Sequence, residues 1–367
     1  MDILERACIL EAQGKHVVHL QIGEPDFDTP EPVKEAAAKA IRDGRTHYTH
    51  SLGLLPLREA ICQYYQEQYG VNVHPDQVIV TSGTSPAMLL TFSALLHPGD
   101  TVALTDPHYA CYPNFITFAQ GQVSRLNTRE EDGFQFTPQG LIPSLTKDIK
   151  AVVLNSPSNP TGTVMPREHL KAICAHGTTV ISDEIYHGLV YEGRAHSALE
   201  FTENCFVLNG FSKLWAMTGW RLGWVIAPKR FVPAMQRLQQ NFFICASSVS
   251  QWAGLAALTE CDQAVRTMVG EYAKRRKVLL AGLARLGLGL AVQPTGAFYA
   301  LARAKHLGSD SLSLARDILD KALVGVTPGI DFGPGGEGYL RFSYANSVEN
   351  IEEGLTRLER YLERYAG

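Results

Sequence analysis

Chemistry-bearing side chains in this sequence collect where apolar runs stop. Val78-Ile79-Val80 gives way to Thr81-Ser82-Gly83-Thr84, and the run Thr101 to Leu104 to Asp106-Pro107-His108-Tyr109. Ala151 to Leu154 leads into Asn155 and Asn159, and Thr179-Val180-Ile181-Ser182 into Asp183, Glu184 and Tyr186. Cys205 to Leu208 leads into Asn209-Gly210-Phe211-Ser212-Lys213, with Arg221 shortly after. In open α/β sheets, ligands bind beyond the carboxyl ends of the strands, so a site belongs at these positions.

Taken singly, each residue has an ordinary structural use. Ser82-Gly83-Thr84, between a strand and a helix, is a turn with a hydroxyl cap or a phosphate cradle of free N–H groups. It matches neither a dinucleotide fingerprint nor a Walker loop. Asp183 would cap the next helix, or hold a proton on a ring nitrogen if a heterocycle were anchored beside it. Lysines are ordinarily solvated, but Lys213 at a strand end inside a cleft would lose basicity and become able to bond a carbonyl carbon. Arg221 opens the apolar run to Ala227, and a cation starting a buried strand needs an anionic partner. A phosphate loop, a carboxylate and an amine at neighbouring strand ends together describe a site for a phosphorylated, aldehyde-bearing pyridine. That ligand is pyridoxal 5'-phosphate.

The elements that must position these groups follow from the same pattern. Near-continuous apolar strands alternating with helical spacing, as in Met88, Leu89, Phe92, Leu95 and Leu96, indicate a sheet covered on both faces. The fold class is therefore α/β, a doubly wound, mostly parallel sheet. The two ends read differently: a Pro-rich turn from Gly23 to Pro32, and a closing amphipathic helix with Ile351, Leu355, Leu358 and Leu362 on one face. The expected division is a large domain over 36–270, with 1–35 and 271–367 forming a smaller α+β domain.

Composition narrows the function class. The 367 residues carry a formal charge of −4, which argues against a nucleic-acid or anionic-membrane binder. No apolar run approaches the roughly 18 residues of a bilayer span. An acidic start and seven scattered cysteines without a CxxC pair point to a cytoplasmic protein with reduced thiols and no metal site.

The sequence resembles the fold-type-I pyridoxal-phosphate enzymes, specifically the class I aminotransferases of the aspartate aminotransferase superfamily. The resemblance rests on Gly23 to Pro30, Thr81 to Thr84, Asn159-Pro160-Thr161-Gly162, Ser182 to Tyr186, Ser212-Lys213, Met217 to Gly223 and Leu340 to Tyr344, in that order. It implies a homodimer with shared active sites that moves an amino group from an L-amino acid to a 2-oxo acid by a ping-pong mechanism. Lys213 would then hold the cofactor and shuttle the proton, and Asp183 would keep the ring nitrogen protonated. Asn159 and Tyr186 would bond the phenolic oxygen, and Tyr109 would stack on the ring. Ser82, Gly83, Thr84, Ser212 and Arg221 would hold the phosphate, with Tyr48 reaching it from the neighbouring subunit. Arg341 would clamp the substrate carboxylate, helped by Asn159 and the Gly23 backbone.

Two positions depart from the family pattern. Gly210 stands where many relatives place a phosphate-binding serine, so a slightly altered phosphate grip is expected. Ser85 stands where some relatives that accept dicarboxylic substrates carry a lysine. The segment before Gly23 is short, which implies a reduced N-terminal lid. Tyr48, Phe27 and Ile244 are candidate walls of an apolar side-chain pocket. Gly333 to Gly338 reads as a mobile surface loop, and Trp215 and Trp220 as core. The rival readings are a carbon–sulfur β-lyase using the same residues and a non-catalytic ligand-binding regulator.

Overall fold

A computed structural model describes residues 2–363. Its strands are β1 (Val18–His19), β2 (Val78–Thr81), β3 (Thr101–Asp106), β4 (Gln122–Asn127), β5 (Ile149–Asn155), β6 (Thr179–Asp183), β7 (Cys205–Gly210), β8 (Gly223–Ile226), β9 (Tyr299–Arg303), β10 (Val324–Gly325), β11 (Thr327–Pro328) and β12 (Tyr339–Ser343). Seven form the large sheet in the order β2-β8-β7-β6-β5-β3-β4. All its pairings are parallel except those of β8, which runs antiparallel to both β2 and β7.

Successive residues of a strand point to opposite faces, and here both faces are apolar. Val78, Val80, Val152, Leu154, Val180, Val207 and Trp224 enter one core. Ile79, Val102, Leu104, Val153, Ile181, Phe206 and Leu208 enter another. Helices Leu55–Tyr69, Arg167–Ala175 and Ser248–Glu260 cover the first face through Ile61, Ile173 and Ala253. Helices Thr84–Leu95 and Val232–Phe242 cover the second through Phe92 and Met235. The strands therefore read as unbroken apolar runs, and polar residues are left to the strand ends, where the site forms.

The chain ends meet beside this sheet. β1 pairs in parallel with β10, and the antiparallel sheet β11-β12-β9 stands next to them. Helix Val348–Glu363 buries Ile351, Leu355 and Leu358, while Leu362 is half-buried. Position 270 falls inside the long helix Asp262–Arg285, which continues into the C-terminal part of the chain.

Gly333 to Gly338 is not a free loop. His108 N–H donates to the Phe332 carbonyl at 2.8 Å and Gly335 N–H to Asp106 Oδ1 at 2.8 Å, which fixes the segment on the end of β3. Trp215 is core, whereas Trp220 is half-buried and donates from its indole to Thr29 Oγ1 at 2.9 Å.

Candidate active site

The strand ends open into a cleft of about 420 Å³, walled by Gly23, Thr84, Tyr109, Asn159, Asp183, Tyr186, Lys213, Tyr299 and Arg341 among others. One wall comes from the ends of β5 and β6, the segments after β3 and β7, and the first turns of helix Thr84–Leu95. The opposite wall comes from β11, β12 and the segment around Phe332.

Lys213 follows β7 by three residues and donates from Nζ to the Gly23 carbonyl at 2.6 Å. Its bonded partner is neutral, and withdrawal from water pulls its pKa down to about 8. Glu24 and Asp183 oppose that shift, while Arg341 and Arg221 add to it. Asp183, the last residue of β6, is buried. Burial raises its pKa to about 6, against the hydrogen bonds from Tyr112 Oη to Oδ2 at 2.7 Å and from Ile185 N–H to Oδ1 at 3.2 Å. A buried carboxyl and a less basic amine in one cleft are the two groups the sequence placed there.

Arg341 lies in the middle of β12 and is only 7% exposed. It donates to Asn159 Oδ1 at 2.9 Å, to the Gln21 carbonyl at 2.6 Å and to Thr327 Oγ1 at 3.1 Å. These partners are neutral oxygens, and its Nε has no partner. A buried cation held only by neutral acceptors is a receptor for an anion. The rings of Tyr299 and Phe332 lie 4.3 and 5.0 Å from its guanidinium carbon. Asn159 is tied back to the end of β6, since its N–H donates to Asn155 Oδ1 at 2.8 Å and Asn155 Nδ2 donates to the Asp183 carbonyl at 3.0 Å.

The loop after β2 turns through Gly83, whose φ of 99° suits glycine, and starts helix Thr84–Leu95 without a side-chain cap. The first N–H groups of that helix are thus left for a ligand. Thr81 Oγ1 donates to the Gly83 carbonyl at 2.7 Å and holds the turn. Arg221, with a left-handed φ of 49°, brings its guanidinium so close that a Cβ on Gly83 would lie 2.7 Å from Nη2. A Cβ on Gly223 would lie 2.9 Å from the Gly83 carbonyl carbon, so glycine there lets β8 back the loop. Gly210 pairs with Gly223, and a side chain on it would meet the Gly223 Cα at 3.0 Å. The missing serine is therefore a matter of room between two adjacent strands.

These features fit pyridoxal phosphate. An uncapped glycine turn beside an arginine suits a phosphate, a buried carboxyl suits a ring nitrogen, and an amine of lowered pKa suits an aldehyde.

Ser82, Gly83, Ser212 and Arg221 flank the cleft without lining it. Tyr48 is 80% exposed and away from the cleft of its own chain. Phe27 packs edge-on against Tyr272 and Ile244 is exposed, so neither walls the cleft, contrary to the apolar pocket expected from sequence. Sequence reasoning missed Tyr112, Tyr299, Gln21 and Thr327. Tyr299 Oη lies 2.9 Å from Tyr186 Oη. A side chain on Gly23 would run into that same tyrosine, so the glycine before Glu24 was a signal for a close neighbour without naming it.

A family profile described as "Aminotransferase class I and II" matches residues 15–358. A (5-formylfuran-3-yl)methyl phosphate transaminase of Methanocaldococcus jannaschii is 42% identical, over 99% of this chain and 96% of its own length. An aspartate/prephenate aminotransferase of Thermus thermophilus is 41% identical, over 98% of this chain and 94% of its own. The solved Thermus thermophilus aspartate aminotransferase with maleate superposes with a TM-score of 0.94 at 39% identity, covering 98% of this chain and 95% of that one.

Proposed function

The chain belongs to the class I and II aminotransferases, a pyridoxal-phosphate-dependent family, and from that premise we propose how its residues divide the work. The observation that carries the reading is one cleft joining an amine of lowered pKa to a buried guanidinium with only neutral partners.

When bound, pyridoxal phosphate supplies an aldehyde carbon that accepts an amino group and a ring that draws electrons from the carbon beside it. Lys213 holds the group at that carbon. Once freed, its Nζ would take the proton from the substrate α-carbon and deliver it to the carbon that carried the aldehyde. Asp183 holds a proton on the ring nitrogen, with Tyr112 and Ile185 N–H keeping the carboxylate charged against burial. Tyr186 and Asn159 would bond the phenolic oxygen, and Tyr109 would stack on the ring. The backbone at Ser82, Gly83 and Thr84, with Ser212 and Arg221, grips the phosphate. Arg341 takes the substrate α-carboxylate as a fork, with Asn159 and the Gly23 backbone beside it. The relative solved with maleate, itself a dicarboxylate, supports a carboxylate receptor in this cleft.

The working unit of this proposal is a cytoplasmic homodimer. Tyr48, exposed on its own chain, reaches the phosphate of the partner's site. The free cysteines of the chain support a reducing compartment. The domain division at 36–270 against the two ends belongs to the same reading, with β1 and β10 joining those ends.

The test is the visible spectrum of the loaded protein as single L-amino acids are added without an acceptor. Transamination bleaches the yellow band and releases one oxo acid per site. A band that persists while oxo acid and ammonia accumulate would make the protein a lyase and overturn the reading.

A further inference from the structure

We propose that Asp106 is a positioning residue for substrate binding: from the end of β3 it pins the small-domain segment Gly329 to Gly336 and thereby holds Phe332 against Arg341. The inference rests on the reading that Arg341 takes the substrate carboxylate.

Asp106 is buried at the last position of β3, and its own carbonyl accepts from Thr128 Oγ1 at 2.9 Å, so the sheet fixes it. Its Oδ1 accepts from Gly335 N–H at 2.8 Å, a hydrogen bond to an ionised acceptor and so one of the stronger kind. Two residues on, His108 N–H donates to the Phe332 carbonyl at 2.8 Å. Two tethers from one strand end thus reach a four-residue stretch of the other wall.

The approach is too close for anything but glycine. A Cβ on Gly335 would lie 2.8 Å from both the carbonyl oxygen and Oδ1 of Asp106, and one on Gly333 would lie 2.6 Å from Oδ1. Gly333 also has a φ of 107°, a conformation that favours glycine. On its far side the segment is held by the small domain, where Ile330 N–H donates to Ser311 Oγ at 3.1 Å. Asp106 and the His108 N–H are therefore the two points at which the end of β3 fixes this segment, and Asp106 is the one that acts through a side chain. Phe332, inside the segment, contributes its ring 5.0 Å from the Arg341 guanidinium. Without the Asp106 bond the segment hangs from the β3 end by the His108 tether alone, so the ring shifts and the carboxylate receptor opens to water, which weakens every electrostatic contact in it. Asp106 touches neither the amine nor the guanidinium, so the effect falls on binding rather than on proton transfer.

The experiment compares steady-state KM and kcat for the best amino donor in the holoenzyme and four variants: Asp106→Ala, Asp106→Asn, Gly335→Ala and Arg341→Ala. Asp106→Ala is expected to raise KM about tenfold with kcat within about twofold, the scale of one lost charge-assisted hydrogen bond. Asp106→Asn keeps an oxygen that accepts from Gly335 N–H and is expected to restore KM to within about threefold of wild type. Gly335→Ala forces the segment away and should raise KM like Asp106→Ala; it carries the test if Asp106→Ala does not fold. A KM within about twofold of wild type in Asp106→Ala or Gly335→Ala, while Arg341→Ala raises it strongly, overturns the pin alone. So does Asp106→Asn proving as damaging as Asp106→Ala. An unchanged KM in Arg341→Ala overturns the carboxylate reading itself.

Discussion

The two walls of the cleft are built on different principles. The wall at the ends of the large sheet's strands holds groups whose protonation sits near working pH: Lys213, with its pKa pulled down to about 8, and Asp183, pushed up to about 6. The wall on the three-stranded sheet holds Arg341, a fixed charge whose partners are a backbone carbonyl, a hydroxyl and an amide. Burial does both jobs. On one wall it tunes acids and bases for proton traffic; on the other it leaves a permanent cation short of an anion. Damage to the first wall should appear in turnover, and damage to the second in binding.

The most severe way to test that contrast is Lys213→Ala. Among the described residues no other amine lines the cleft, so kcat should fall by about 10⁴, the upper range for a positioned acid–base group. Arg341→Ala is the counterpart on the other wall. Truncating a buried, hydrogen-bonded charge at a binding site costs on the order of 2–5 kcal/mol. KM for the donor should accordingly rise about a hundredfold, with a much smaller change in kcat. Steady-state kinetics on both variants decide it. Equal losses of kcat in the two would erase the distinction between the walls.

The walls also differ in how far they could be read from sequence. The wall at the large sheet's strand ends is local. Each of its groups lies within a few residues of an apolar run, so Asp183, Lys213, Asn159 and the Gly83 turn were legible from spacing alone. Arg341 meets Gln21 across 320 positions of sequence and Thr327 across a strand pair. No local pattern announces such partners, and Arg341 itself entered only through resemblance to a family. Tyr112 was hidden for another reason. Its ring reads as core on helix Tyr112–Phe118, and only the fold reveals that its hydroxyl reaches Asp183 Oδ2. The segment after Phe332 looked like a mobile loop because glycines and a proline signal turns. Here the glycines serve close approach to Asp106 instead.

The smallest effect is also the most discriminating, because it separates stability from function on the same wall. The carboxyl of Asp183 has a pKa near 6 in the folded protein against a usual value of 3.8. Above pH 6 it is charged whether the chain is folded or not, and the folded state bears the whole cost of burying that charge. As pH falls from 6 toward 3.8 the folded state takes up a proton before the unfolded one does, and the cost disappears. Asp183→Asn carries no charge at any pH. The cofactor-free variant should therefore exceed wild type in stability at pH 8 by on the order of 1–3 kcal/mol, and the margin should shrink as pH drops through 6. Denaturant unfolding at pH 8 and at pH 4.5 measures both ends of that window. A variant less stable than wild type at pH 8, or a margin that widens in acid, would show that the neighbouring hydrogen bonds outweigh burial. The same substitution should still lower turnover, because an amide cannot hold the proton of a ring nitrogen as a carboxylate does. A protein made more stable and less active by one atom's exchange is what a wall tuned for proton traffic predicts.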